Sequence, residues 1–141
     1  MLFLTVASAK AIDTVPTKLS LRIEGFLGAS YRVDLIEGTN AVRYMMNPQT
    51  FTSQPGTKEQ KLTIPKQRWI AFRKRLDDAN IWKWEKSYRQ KGVVDGTVWQ
   101  VLIEWDGRKA DSSGANAYPN AKQFSIYKAA VSELLGGKKF E

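Results

Sequence analysis

Neither histidine nor cysteine occurs among the 141 residues. The usual neutral-pH base, the thiol nucleophile and the two commonest transition-metal ligands are therefore missing together, and no metal or cofactor is implied. Acid–base or nucleophilic work would fall to carboxylates, lysines, tyrosines or hydroxyls. Four carboxylates, Asp95, Glu104, Asp106 and Asp111, lie near one another in the chain. Two of them folded into one cleft could share acid and base roles. Each also has a plainer reading: Asp95-Gly96 and Asp106-Gly107 are turn pairs, and Glu104 is the outward position of an alternating strand. An enzyme is the third of three functional readings.

Positive charge is the stronger signal. The chain carries 22 Lys and Arg against 14 Asp and Glu, a net +8, and the stretch from Lys58 to Lys91 holds 11 basic residues against 4 acidic ones. Within it Arg73, Lys74 and Arg75 stand in succession, and Trp82, Trp84 and Tyr88 interleave with Lys83, Lys86, Arg89 and Lys91. Cations beside exposed rings suit single-stranded nucleic acid, neutralising phosphates while bases stack on the rings. The same pattern arises when the rings plug the end of a core and long cationic side chains rim it. No nucleic-acid fold signature accompanies the charge.

A second candidate is the run from Ser112 to Asn120, expected as a loop from Ser113 onward. Its small residues permit close backbone approach, and Ser113, Asn116 and Tyr118 offer donors and acceptors near a helix start, where an anion is favoured. A tight turn and helix initiation, with Asn116 or Asn120 bonding locally, account for the same residues. Phosphate-loop and dinucleotide fingerprints are absent from the sequence.

These residues must be positioned by elements that the periodicity outlines. Leu19, Leu21 and Ile23 alternate with Ser20, Arg22 and Glu24, as in a strand with one buried face. Tyr31, Val33 and Leu35 form a hairpin with Val42, Tyr44 and Met46 through the turn Glu37 to Asn40. Asn47 to Thr57 reads as a loop and Lys61 to Ile64 as a short edge strand. Pro65 is expected in the first turn of a helix whose stripe is Trp69, Phe72 and Leu76, with Asp77, Asp78 and Asn80 loosening its end. Ile81 to Tyr88 reads as an aromatic connection.

A long strand follows, with Thr97, Trp99, Val101, Ile103 and Trp105 on the core side and Val98 and Leu102 suggesting partial cover of the other. Asp106-Gly107 turns it into a return strand, Arg108 to Ser112. A second amphipathic helix carries Phe124, Tyr127, Val131, Leu134 and Leu135 and stops at Gly136-Gly137. The expectation is α+β: an antiparallel sheet of five to six strands with two helices packed on one face. Trp69, Phe72, Leu76, Trp99, Val101, Ile103, Phe124, Tyr127, Val131 and Leu134 should be largely buried against one another.

Several local patterns occur in a suggestive order: Gly25-Phe26-Leu27-Gly28 with Tyr31; Trp69-x-x-Phe72 with Trp82-x-Trp84 and Tyr88; Asp95-Gly96-Thr97-x-Trp99; and Ser113-Gly114-x-Asn116-x-Tyr118-Pro119 with Phe124. Between Leu19 and Leu135 the chain thereby resembles a family of small bacterial proteins, some of them carried as mobile integron gene cassettes. The resemblance implies a bacterial accessory protein and no particular chemistry.

Length fits one domain, residues 1–141, with an arm at 1–17 and a tail at 136–141. No apolar run approaches the roughly 20 residues of a membrane span. Leu2 to Ala9 resembles the end of an export signal but lacks a basic start, so the expected location is cytoplasmic, with periplasmic or secreted as the alternative. The functional expectation is a non-enzymatic binding protein for a protein or other macromolecular partner, with nucleic acid as the alternative.

Overall fold

Alternation along Lys18–Glu24, Ser30–Leu35, Ala41–Asn47 and Val98–Trp105 underlies a single seven-stranded sheet in the computed structural model, which describes residues 14–25, 28–48, 56–90 and 96–141. The strands are β1 (Lys18–Glu24), β2 (Ser30–Leu35), β3 (Ala41–Asn47), β4 (Lys58–Thr63), β5 (Ser87–Arg89), β6 (Val98–Trp105) and β7 (Arg108–Ala115). Helix α1 spans Lys66–Asp78 and α2 spans Ala121–Leu134, with a 3-10 turn at Ile81–Lys83. The order across the sheet is β4-β3-β2-β1-β6-β7-β5, and every pairing is antiparallel except β5 with β7. No described helix is long and apolar enough to cross a membrane.

Seven strands replace the expected five to six. The additional strand, β5, is three residues long and pairs Ser87 with Ser113 and Arg89 with Ala115. It has no alternating run of its own and exists through long-range bonds: the Ser113 N–H donates to the Lys86 carbonyl (3.0 Å) and the Ser112 hydroxyl to that of Glu85 (2.6 Å). Pairing with β6 on one side, Val98 opposite Ala115, and with β5 on the other carries β7 out to Ala115, through residues expected as loop. Of the Asn47–Thr57 loop, residues 49–55 lie outside the described residues, as do the candidate export signal and Asp95.

Both helices pack on one face of the sheet. All ten residues named as core are buried. Trp69 and Phe72 of α1 meet Trp105 with ring centroids 6.0 and 6.2 Å away, and Phe124 of α2 meets Trp99 at 5.1 Å. Pro65 stands one place earlier than expected, as the N-cap in an extended conformation, because its carbonyl accepts the Arg68 and Trp69 N–H groups. The Trp69 indole N–H donates to the Asn40 carbonyl (3.2 Å), which pins α1 to the β2–β3 turn. Asn120 caps α2, its Oδ1 accepting from the Lys122 and Gln123 N–H groups. Asp106 and Gly107 both have positive φ, 50° and 75°, as the two-residue β6–β7 turn demands.

Within the residues expected as a C-terminal tail, Phe140 is buried in the core. Gly136 and Gly137, at φ 73° and 96°, reverse the chain after α2. The Ser132 hydroxyl then donates to the Lys138 carbonyl (2.7 Å) and the Tyr44 hydroxyl to the Lys139 carbonyl (2.6 Å). Phe140, 3% exposed, lands between Tyr31 and Tyr127. A short polar run around one aromatic carries no period, so its docking is invisible locally.

Close approach explains the small residues of β7. A Cβ on Gly114 would collide with the Trp99 indole and the Ala117 carbonyl, which are themselves joined by a 2.9 Å hydrogen bond from the indole N–H. Gly114→Ala should destabilise the protein by about 3 kcal/mol, the upper range for overpacking, read as a lower urea midpoint. Burial also raises the Tyr127 phenol, whose buried hydroxyl has no partner, and pushes Tyr44 up to about 12, with Tyr31 adding a smaller effect. A phenol raised in the folded state keeps its full contribution below the unfolded value of about 10 and loses it as pH climbs through the folded one. Stability should therefore fall from about pH 10 upward. Tyr127→Phe should gain about 1 kcal/mol at pH 7 by removing an unsatisfied hydroxyl and should flatten the alkaline decline, both read by urea unfolding.

Candidate functional site

The basic, aromatic stretch folds into a corner where α1, the 3-10 turn and the β6–β7 turn meet. Arg73 is its hub. Its guanidinium pairs with Asp106 at 2.6 Å, both side chains less than a fifth exposed, and lies over the rings of Trp105 and Trp82 at 5.2 and 5.6 Å. A cation held by a carboxylate and two indole faces is strongly positioned. Asp77 accepts from the Trp82 indole N–H (2.7 Å) and pairs with Arg108 at 3.6 Å. Asp106, read as a turn residue, thus also anchors a helix, a role no neighbouring residue signals.

The remaining candidates divide between packing and solvent. Arg75 reaches Glu133 on α2 at 3.7 Å, and Arg68, outside the basic run 73–75, donates to the Leu134 carbonyl at the end of α2 (3.1 Å). Trp84 is half-buried; its N–H donates to the Ala79 carbonyl (3.0 Å) and its ring packs on Trp99 and Tyr127. Tyr88 is half-buried beside Trp99 at 5.9 Å, its hydroxyl accepting from the Glu85 N–H (2.8 Å). Lys74, Lys83 and Lys86 are exposed. Trp84 and Tyr88 thus turn toward Trp99, whereas Trp82 lines a cleft of about 500 Å³ with Asp77, Asn80, Lys83, Arg108 and Lys109.

At the other end of the sheet Asn116, at φ 53°, donates its N–H to the Thr97 carbonyl (2.8 Å), and its side chain sits where a Gly96 Cβ would be. Tyr118 is 39% exposed and packs on Phe124 at 4.7 Å. It borders a cleft of about 320 Å³ with Ile23, Thr97, Phe124, Ser125 and Lys128. A second cleft, of about 310 Å³, lies between Tyr31, Tyr44 and Met46 on one side and Gly137, Lys138 and Lys139 on the other. No short stretch of sequence signals it, since its walls are far apart in the chain.

The described carboxylates answer to different partners. Glu104 lies between Lys18 and Lys109, 3.8 Å from each, on the helix-free face of the sheet. Asp111 is exposed on that same face, and Asp106 is held by Arg73 at the hairpin turn. Among the described residues no group of three or more acidic side chains is arranged to hold a metal ion.

No protein-family model matches the chain, and none of the curated proteins matches it. The electrostatic hub is open to test. Asp106→Asn keeps a residue that tolerates positive φ but removes the charge facing Arg73, whose Nε is already buried without a partner. Breaking a largely buried pair from one side should cost about 3 kcal/mol. Arg73→Met with Asp106→Asn should recover part of that loss in a double-mutant cycle by urea unfolding.

Proposed function

We propose that the chain is a small bacterial accessory protein that binds a protein partner, without catalysis, across the helix-free face of its sheet. The observation that carries this reading is the pattern on that face. Arg32 meets Asp34 at 2.7 Å, Arg43 meets Glu59 at 3.4 Å, Glu104 lies between two lysines, and at the other end of β6 Val98 stands 50% exposed opposite Glu24, which pairs with Arg22. Exposed ion pairs of this kind add little to stability. They can exchange partners with charges on a second protein, and an apolar side chain such as Val98 supplies the anchor. A polyanion laid on the same face would meet repulsion as often as attraction.

The arrangement of the basic stretch supports the same choice over nucleic acid. Arg73 and Arg75 are engaged by acidic side chains, and Trp82, Trp84 and Tyr88 pack against the core rather than standing clear as a stacking platform. Affinity capture from source cells, with and without nuclease, tests the reading. A retained protein should survive nuclease, disappear with Val98→Asp combined with Arg32→Glu, and persist with Lys74→Glu combined with Lys83→Glu. Retention abolished by nuclease and by the lysine variant, together with steeply salt-dependent oligonucleotide binding, would overturn it in favour of nucleic acid.

A further inference from the structure

The sheet is wider than its helical layer. Seven strands about 4.8 Å apart span about 29 Å, whereas two helices about 10 Å across cover about 20 Å. At the β4 edge the helix-side residues therefore lack a helix above them: Tyr44 and Met46 of β3, and Lys58 and Gln60 of β4, paired Met46 with Lys58 and Tyr44 with Gln60. The returning segment after α2 covers part of this overhang and leaves a cleft of about 310 Å³ beside it.

We propose that this cleft binds a small phosphomonoester carried on an aromatic or apolar body. Its inner wall is the stacked pair Tyr31 and Tyr44, with centroids 6.5 Å apart, together with Met46, and this wall suits the face of a single ring. Its lining includes three lysines, Lys58, Lys138 and Lys139, and none of the ion pairs among the described residues takes them in. Three cations suit a group bearing close to two negative charges better than a single carboxylate.

The backbone of the segment that carries Lys138 and Lys139 is held in place before any ligand arrives. The carbonyls of Lys138 and Lys139 are tied to Ser132 and Tyr44, and Phe140 is locked into the core behind them. Burial and, to a smaller extent, the charge of Glu141 push the Tyr31 phenol up, so Tyr31 adds no negative charge to the cleft, while Glu141 is an acidic group near the wall that offsets part of the lysine charge. The volume lies at the lower end for small-molecule sites and fits one ring with its phosphate. The cleft is on the helix side, so it stands or falls independently of a partner on the opposite face.

Titration with phenyl phosphate, followed by backbone amide shifts, tests the site, with phenol and inorganic phosphate as separate probes. Phenyl phosphate should saturate and move the amides of Tyr44, Met46, Lys58, Gln60, Gly137 and Lys139 together. Lys58→Gln combined with Lys139→Gln, both exposed positions, should weaken it about tenfold, whereas Lys74→Gln combined with Lys83→Gln should leave it unchanged. Shifts scattered over other lysines, equal binding of phenol or inorganic phosphate, or parental affinity in the Lys58/Lys139 variant would each overturn the proposal.

Discussion

Two tryptophans on one strand organise the molecule. Trp99 and Trp105 project from the same face of β6, six residues and about 20 Å apart. Trp105 receives Trp69, Phe72 and the Arg73 guanidinium from α1; Trp99 receives Phe124 from α2, with Trp84 and Tyr88 from the connection between α1 and β6. Large rings carry most of the apolar area a small domain can bury. Placing two of them on a strand paired with both β1 and β7 makes their burial the condition that the rest of the packing satisfies.

The requirement reaches into the polar groups. Gly114 has no side chain because the Trp99 indole lies over it, and the Ala117 carbonyl is turned to receive the indole N–H. At the other end Arg73 closes over Trp105 and pairs with Asp106, which joins the β6–β7 turn to α1. Three of the basic residues in 58–91, Arg68, Arg73 and Arg75, are thereby engaged. Arg68 and Arg75 join α1 to α2, and the exposed lysines lie on several elements, Lys58 on β4, Lys74 on α1 and Lys83 on the 3-10 turn. The same one-sided burial leaves the opposite face of the sheet in water with its signs interleaved, and it leaves the β4 edge overhanging the helical layer.

Most of the architecture was legible in the residues. The 2-residue period of β1, β2, β3 and β6, the stripes Trp69–Phe72–Leu76 and Phe124–Tyr127–Val131–Leu134, the Asp106-Gly107 turn and the Gly136-Gly137 stop are local signals, each read within a few positions. What escaped was non-local. β5 is three residues without a period, made a strand by the edge of β7, and Phe140 is a lone aromatic in a polar run, made core by Tyr31 and Tyr127. Among the candidate residues, the sequence displayed the side-chain types of the basic corner but not their direction. A tryptophan beside a lysine reads the same whether it faces water or the core.

By itself the sequence determined the fold class, the burial face of each long element and the exclusion of imidazole and thiol chemistry, because periodicity and composition are properties of the chain alone. Only the tertiary structure decided which cations remain in solvent, which carboxylates meet and where a cleft opens. Those outcomes depend on contacts such as Arg73 with Asp106, 33 positions apart, and Tyr44 with Lys139, 95 apart. Nothing in the neighbourhood of either residue encodes its distant partner; the partner is set by how a wide sheet is covered by a narrower layer of helices.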